Sequence, residues 1–140
     1  ELARHSGAQF ITMLPPPEQP PNLTIAPQQR FRHEDLTASV DAVIAKSGYG
    51  ICGECIAAST PLLYPGREDF AEFAPMEQGL RQWGGAIRMR DEDFTAFRLG
   101  PYLERLKSLQ MRPEAIGVNG ADVCARIIEE QLAAAAGASS

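Results

Sequence analysis

The chain has 140 residues, a formal net charge of −5 and 44% hydrophobic residues, with a mean hydropathy of −0.19 and a pI near 5.0. That size and composition suit one globular domain around one core. They leave no apolar run near the ~20 residues of a membrane-crossing helix, no signal peptide and no clustered basic stripe for nucleic acid. The three cysteines, Cys52, Cys55 and Cys124, are an odd count without a secretory leader, which points to reduced thiols and a cytoplasmic setting.

Strand-like and helix-like segments alternate along the chain, the signature of an α/β layered fold. After a helix fragment at residues 1–6, residues 8–14 and 23–26 read as strands. The prolines between them (Pro15, Pro16, Pro17, Pro20 and Pro21) lack amide donors and fix φ, so the connector is an extended loop rather than a crossover helix. A short helix at 33–40 leads to a third strand at 41–45. Residues 47–53 read as a glycine-rich turn, and the helix after it must end before Pro61. A buried strand is expected at 62–64 and a helix at 73–83, where Met76, Leu80 and Trp83 share one face. Gly84-Gly85 caps that helix. A fifth strand at 86–89 precedes a helix over 93–109, interrupted near Gly100-Pro101. Asn119 opens a last helix carrying Val123, Ile127, Ile128 and Leu132. Residues 1–132 then make the domain, and 133–140 are expected to form a flexible tail.

A doubly wound sheet begins with a strand that ends up central. Here no strand precedes the first helix fragment, and the chain opens on Glu1 rather than methionine. The expectation is a sheet lacking its first strand and a chain that is a piece of a longer protein.

The stretch Asp41-Ala-Val-Ile-Ala-Lys46-Ser47-Gly48-Tyr49-Gly50-Ile51-Cys52-Gly53-Glu54-Cys55 joins a strand, a glycine turn and a helix start. First-turn amides and the helix dipole attract phosphates, and glycines let a ligand approach the backbone. Helical side chains lean toward the N-terminus, so Glu54 reaches toward groups just beyond a bound diphosphate, such as ribose hydroxyls. Gly48, Gly50 and Gly53 also satisfy the dinucleotide pattern G-x-G-x-x-G, with Glu68 near the position of an acidic ribose ligand. Against that pattern, Pro61 cuts the helix short and Lys46-Ser47 intrudes before the first glycine. Cys52-Gly-Glu-Cys55 is a C-x-x-C at a helix start, where thiols acidify, yet a fourth zinc ligand is wanting and the thiols also suit a buried stripe with Ile51 and Ala58. A domain that kept the fold without its ligand, serving interaction alone, stays open beside these.

As an ordered set, residues 41–89 resemble the carboxy-terminal, donor-binding domain of GT-B glycosyltransferases. That group includes the N-acetylglucosaminyltransferase of peptidoglycan-precursor synthesis and the plant UDP-sugar transferases. The look is closest to the glycosyltransferase-like region fused to sugar kinases such as arabinokinase. A strand, the Ser47-Gly48 turn, Glu54 six positions beyond Gly48, a small-residue turn before Pro61, a strand and the polar loop at Arg67 carry the likeness. It implies a Rossmann-like parallel sheet with helices on both faces, half of a GT-B fold.

The same resemblance implies that Ser47, Gly48, Tyr49, Gly50, Ile51 and Cys52 bind the donor diphosphate and that Glu54 binds the ribose. Arg67, Glu68, Asp69 and Phe70 would face the donor sugar or its phosphate. Relatives carry a hydroxyl between positions 51 and 53 where this chain has Ile51, Cys52 and Gly53, which leaves phosphate contacts to backbone amides. The implied ligand is a sugar nucleotide, in all expectation UDP-linked, with no metal and no cofactor. The catalytic base and acceptor pocket would come from an amino-terminal domain of the same protein, so these residues alone would bind without turning over.

Each of these residues also has a plain structural use. Glu54 can be a helix glutamate bonded to a neighbour, Lys46 a solvated strand end, and Arg67 half of a surface ion pair. Glu68, Asp69 and Glu72 suit a helix start, and Trp83 suits the core. His5 and His33 are expected to be exposed and carry no assignment.

Overall fold

The computed structural model describes residues 1–137. Its strands are β1 (Phe10–Thr12), β2 (Leu23–Ile25), β3 (Val43–Ile44), β4 (Leu62–Pro65) and β5 (Ala86–Met89). Its α-helices are α1 (His33–Thr37), α2 (Tyr49–Ala58), α3 (Phe73–Trp83), α4 (Asp91–Thr95), α5 (Gly100–Leu106) and α6 (Gly120–Gly137). All strand pairs are parallel, in one sheet of order β1-β2 and a second of order β3-β4-β5. This is the expected mixed α/β, Rossmann-like architecture, with its strands divided between two small sheets.

The core follows from strand alternation. All four residues of β4 are buried, as a strand covered on both faces requires. Leu62 and Tyr64 point to one face, where they meet Cys52, Cys55, Phe73, Met76, Leu80 and Trp83 from α2 and α3. Leu63 points to the other and packs with Ile87, Met89, Leu99 and Tyr102. Phe10 of β1 and Ile44 of β3 both lean on that second cluster, so the two sheets share a core without sharing a ladder. Among the described residues β1 and β3 are not paired with each other.

Helix α3 and strand β5 occupy the residues their patterns predict. The α3 stripe is Phe73, Met76, Leu80 and Trp83, and Gly84 caps it with φ of 77°, a conformation that glycine adopts without strain. Several expectations are corrected. The strand at 8–14 shrinks to three residues and the helix at 33–40 to five. Helix α2 begins at Tyr49, inside the expected turn, because the Cys52 amide already donates to the Gly48 carbonyl at 3.0 Å. The helix at 93–109 breaks earlier than expected, at Phe97, whose φ is 51°. There the Arg98 amide donates back to the Asp93 carbonyl, and Pro101 lies in the first turn of α5, where no amide is needed. Helix α6 runs through the alanine-rich stretch to Gly137, as alanine's helix propensity favours. Of the expected tail, residues 138–140 lie outside the described residues.

Candidate functional site at the start of helix α2

Strand β3 hands the chain to Ser47, then to Gly48 as the N-cap of α2, with no side chain bonded back to the first-turn amides. The Cys52 amide is engaged by the Gly48 carbonyl, so the donors left at this end are those of Gly48, Tyr49, Gly50 and Ile51. A Cβ built on Gly48, Gly50 or Gly53 would meet nothing within 4 Å, and none of the three has a positive φ. The fold therefore gives no reason for glycine at these positions, and the space above the turn is open. Ser47 is fully buried, and among the described residues its Oγ has no hydrogen-bond partner.

Arg67, from the loop after β4, reaches this turn. Its guanidinium donates to the Ser47 carbonyl at 3.0 Å and lies 4.6 Å over the Phe70 ring. A fixed positive charge thus stands beside a helix end that already favours anions. Phe70 itself packs against the core cluster under α2 and α3, which makes it Arg67's platform. Glu68 turns away and pairs with Arg88 of β5, while Asp69 is exposed. Ile51 packs inward and Tyr49 is exposed. Cys52 faces the core, its Sγ 3.7 Å from Met76 Sδ, so neither its thiol nor its amide is available to a ligand.

Glu54 is half-buried and held. Its Oε2 accepts from His33 Nδ1 at 2.6 Å and from Thr37 Oγ1 at 3.3 Å, both on α1. His33, which the sequence left unassigned, also lines an open cleft of about 430 Å³ with Met13, Gln28, Gln29, Arg30 and Phe31. The cleft therefore adjoins the first turns of α2 through the His33–Glu54 bond. The signal for this pairing was the position of Glu54 on the flank of a buried stripe, which demands a partner. Twenty-one residues separate the two, and no periodicity connects them.

The C-x-x-C thiols are free. Burial pushes the Cys55 thiol up to about 12, with the neighbouring Cys52 and Glu54 adding to it, and burial raises Cys52 as well. This is the opposite of an activated thiolate. Among the described residues no three His, Cys, Asp or Glu side chains gather as a metal site, and no helix is long and apolar enough to cross a membrane.

The arrangement suits an anion at the α2 N-terminus with a polar group in reach of Glu54. No family model matches the sequence, and no solved structure matches it. Over 113 residues the chain is 29% identical to L-arabinokinase of Arabidopsis thaliana. The match takes in 81% of this chain and 11% of that protein, so it relates the chain to about a ninth of the length of a sugar kinase.

Proposed function

We propose that this chain binds a sugar nucleotide, UDP-linked, at the N-terminus of α2, as the donor-binding part of a glycosyltransferase-type protein. The observation that carries the reading is Arg67 anchored on the Ser47 carbonyl beside an uncapped helix start. The diphosphate takes the free amides of Gly48, Tyr49, Gly50 and Ile51 together with the Arg67 guanidinium. The open space at Gly48 and Gly50 admits its oxygens to the backbone. Ribose hydroxyls meet Glu54, and the base lies toward the cleft at residues 28–33.

The dinucleotide reading is less well supported, because Glu68, its acidic ribose ligand, is occupied by Arg88. Bond-making chemistry is not assigned to any residue of this chain. The likeness to part of L-arabinokinase supports a sugar-related protein, while the acceptor and catalytic base lie with residues elsewhere in the protein.

Calorimetric titration with UDP, a UDP-sugar and NAD tests this directly. UDP and its sugar conjugate are expected to bind and NAD to give no heat; the reverse ranking overturns the reading. Glu54→Gln should weaken UDP by about 1.5–3 kcal/mol, the value of a hydrogen bond to a charged group. Normal binding by this variant with a much lower melting point would return Glu54 to a structural role.

A further inference from the structure

Nothing in the sequence assigns His33, yet it makes the shortest side-chain contact to Glu54. A carboxylate oxygen accepts, so His33 Nδ1 is the donor in this bond. Thr37 has a single hydroxyl proton and two acceptors in range, Glu54 Oε2 at 3.3 Å and the His33 carbonyl at 3.1 Å. Its hold on Glu54 is therefore shared, and His33 supplies the firmer bond.

Both donors meet the same oxygen, Oε2, and among the described residues no hydrogen bond reaches Oε1. Helix α1 is itself pinned against the α2–β4 turn, where Thr60 Oγ1 donates to the Thr37 carbonyl at 2.8 Å with both threonines buried. The holder is thus anchored independently of the group it holds.

We propose that His33 is a positioning residue for ribose recognition: it fixes Glu54 by Oε2 and leaves Oε1 to accept the ribose hydroxyls. This rests on the reading of Glu54 as the ribose ligand. Freed from His33, a glutamate side chain samples several rotamers and meets the sugar only in some of them. The consequence is specific: loss of His33 penalises nucleotides with ribose hydroxyls and spares those without.

The test is a titration of UDP and 2′,3′-dideoxy-UDP against the unaltered chain, His33→Ala and His33→Asn, with melting curves alongside. Asparagine keeps an N–H donor near the position of Nδ1. The unaltered chain should prefer UDP. His33→Ala should lose about tenfold in affinity for UDP with little change for the dideoxy ligand, and His33→Asn should recover much of the loss. Equal weakening of both ligands by His33→Ala, or no recovery by asparagine, overturns the positioning role while leaving the nucleotide site standing. Failure of the unaltered chain to bind either ligand, or equal binding of both, removes the underlying reading as well.

Discussion

Replacing Gly50 with alanine separates what a ligand needs from what the fold needs. Gly50 is the second residue of α2, with ordinary negative φ and no atom within 4 Å of a built Cβ. Alanine at a compatible helical site stabilises by about 0.4–1 kcal/mol, chiefly by restricting the unfolded chain. For 140 residues the entropy of unfolding is roughly 0.3 kcal/mol per degree, so the melting point should rise by about 1–3 °C. The same methyl narrows the approach to amides that diphosphate oxygens must reach at about 2.9 Å, and UDP affinity should fall by about tenfold or more. Gly53→Ala is the control: its Cβ also meets open space, but it lies a turn deeper, so it should raise the melting point without weakening UDP. Melting curves and calorimetry on both variants decide the matter. Unchanged UDP affinity in Gly50→Ala would refute a diphosphate at this helix end. A lowered melting point would refute the open space on which the reasoning stands.

Arg67→Ala should weaken UDP by about tenfold in calorimetry, with a loss that shrinks as salt rises; Arg67→Lys should recover only part, because a point charge cannot serve both the Ser47 carbonyl and a phosphate as the guanidinium fork does. With an aromatic disulfide reagent at neutral pH, exposed Cys124 should react promptly, and buried Cys52 and Cys55 only on unfolding. Asp93 is held well below the usual aspartate range by hydrogen bonds from Arg90, Arg98 and Tyr102. A depressed native value stabilises fully above the unfolded value of about 3.9 and is lost as pH falls below it. Acid denaturation of Asp93→Asn should therefore be less steep below that pH than that of the unaltered chain, and identical slopes would count against the cluster.

What the sequence made legible was local. The α3 stripe, Gly84, Pro61 and the run at β5 each announce themselves within a few residues, and each falls where the pattern puts it. What it hid was set by specific side-chain partners, some near in the chain and some far along it. The break at Phe97 depends on Asp93 gathering Arg90, Arg98 and Tyr102 around one carboxylate, which local propensity does not encode. The candidate site divides the same way. Gly48 and Glu54 stood out by spacing, whereas the meeting of Arg67 with Ser47 and of His33 with Glu54 required β3 and β4 to pair and α1 to settle on α2. Cys52 illustrates the limit from the other side: its position beside the loop suggested a ligand contact, but the helical phase turns it into the core.

The placement of these contacts bears on how the two sheets hold together. Helix α1 follows β2 and so belongs with the first sheet, while α2 follows β3 of the second. Bonds from His33 and Thr37 to Glu54, and from Thr60 to Thr37, therefore cross between the halves where no strand ladder does. Strand β3 is two residues long and, among the described residues, pairs on one side alone, so the loop it launches relies on Arg67 and on the α1 clasp for its position. A nucleotide held as proposed would touch Arg67 beyond β4, the amides of α2 and the cleft beyond β2 at once. Binding confined to the folded arrangement adds RT ln(1 + [L]/Kd) to stability, about 2.7 kcal/mol at a hundredfold excess over Kd. In this architecture that increment falls on a junction that, among the described residues, has no strand ladder. On this reasoning the side chains that recognise the ligand add to the cohesion that the shared core, with Phe10 and Ile44 on one cluster, already gives the two sheets.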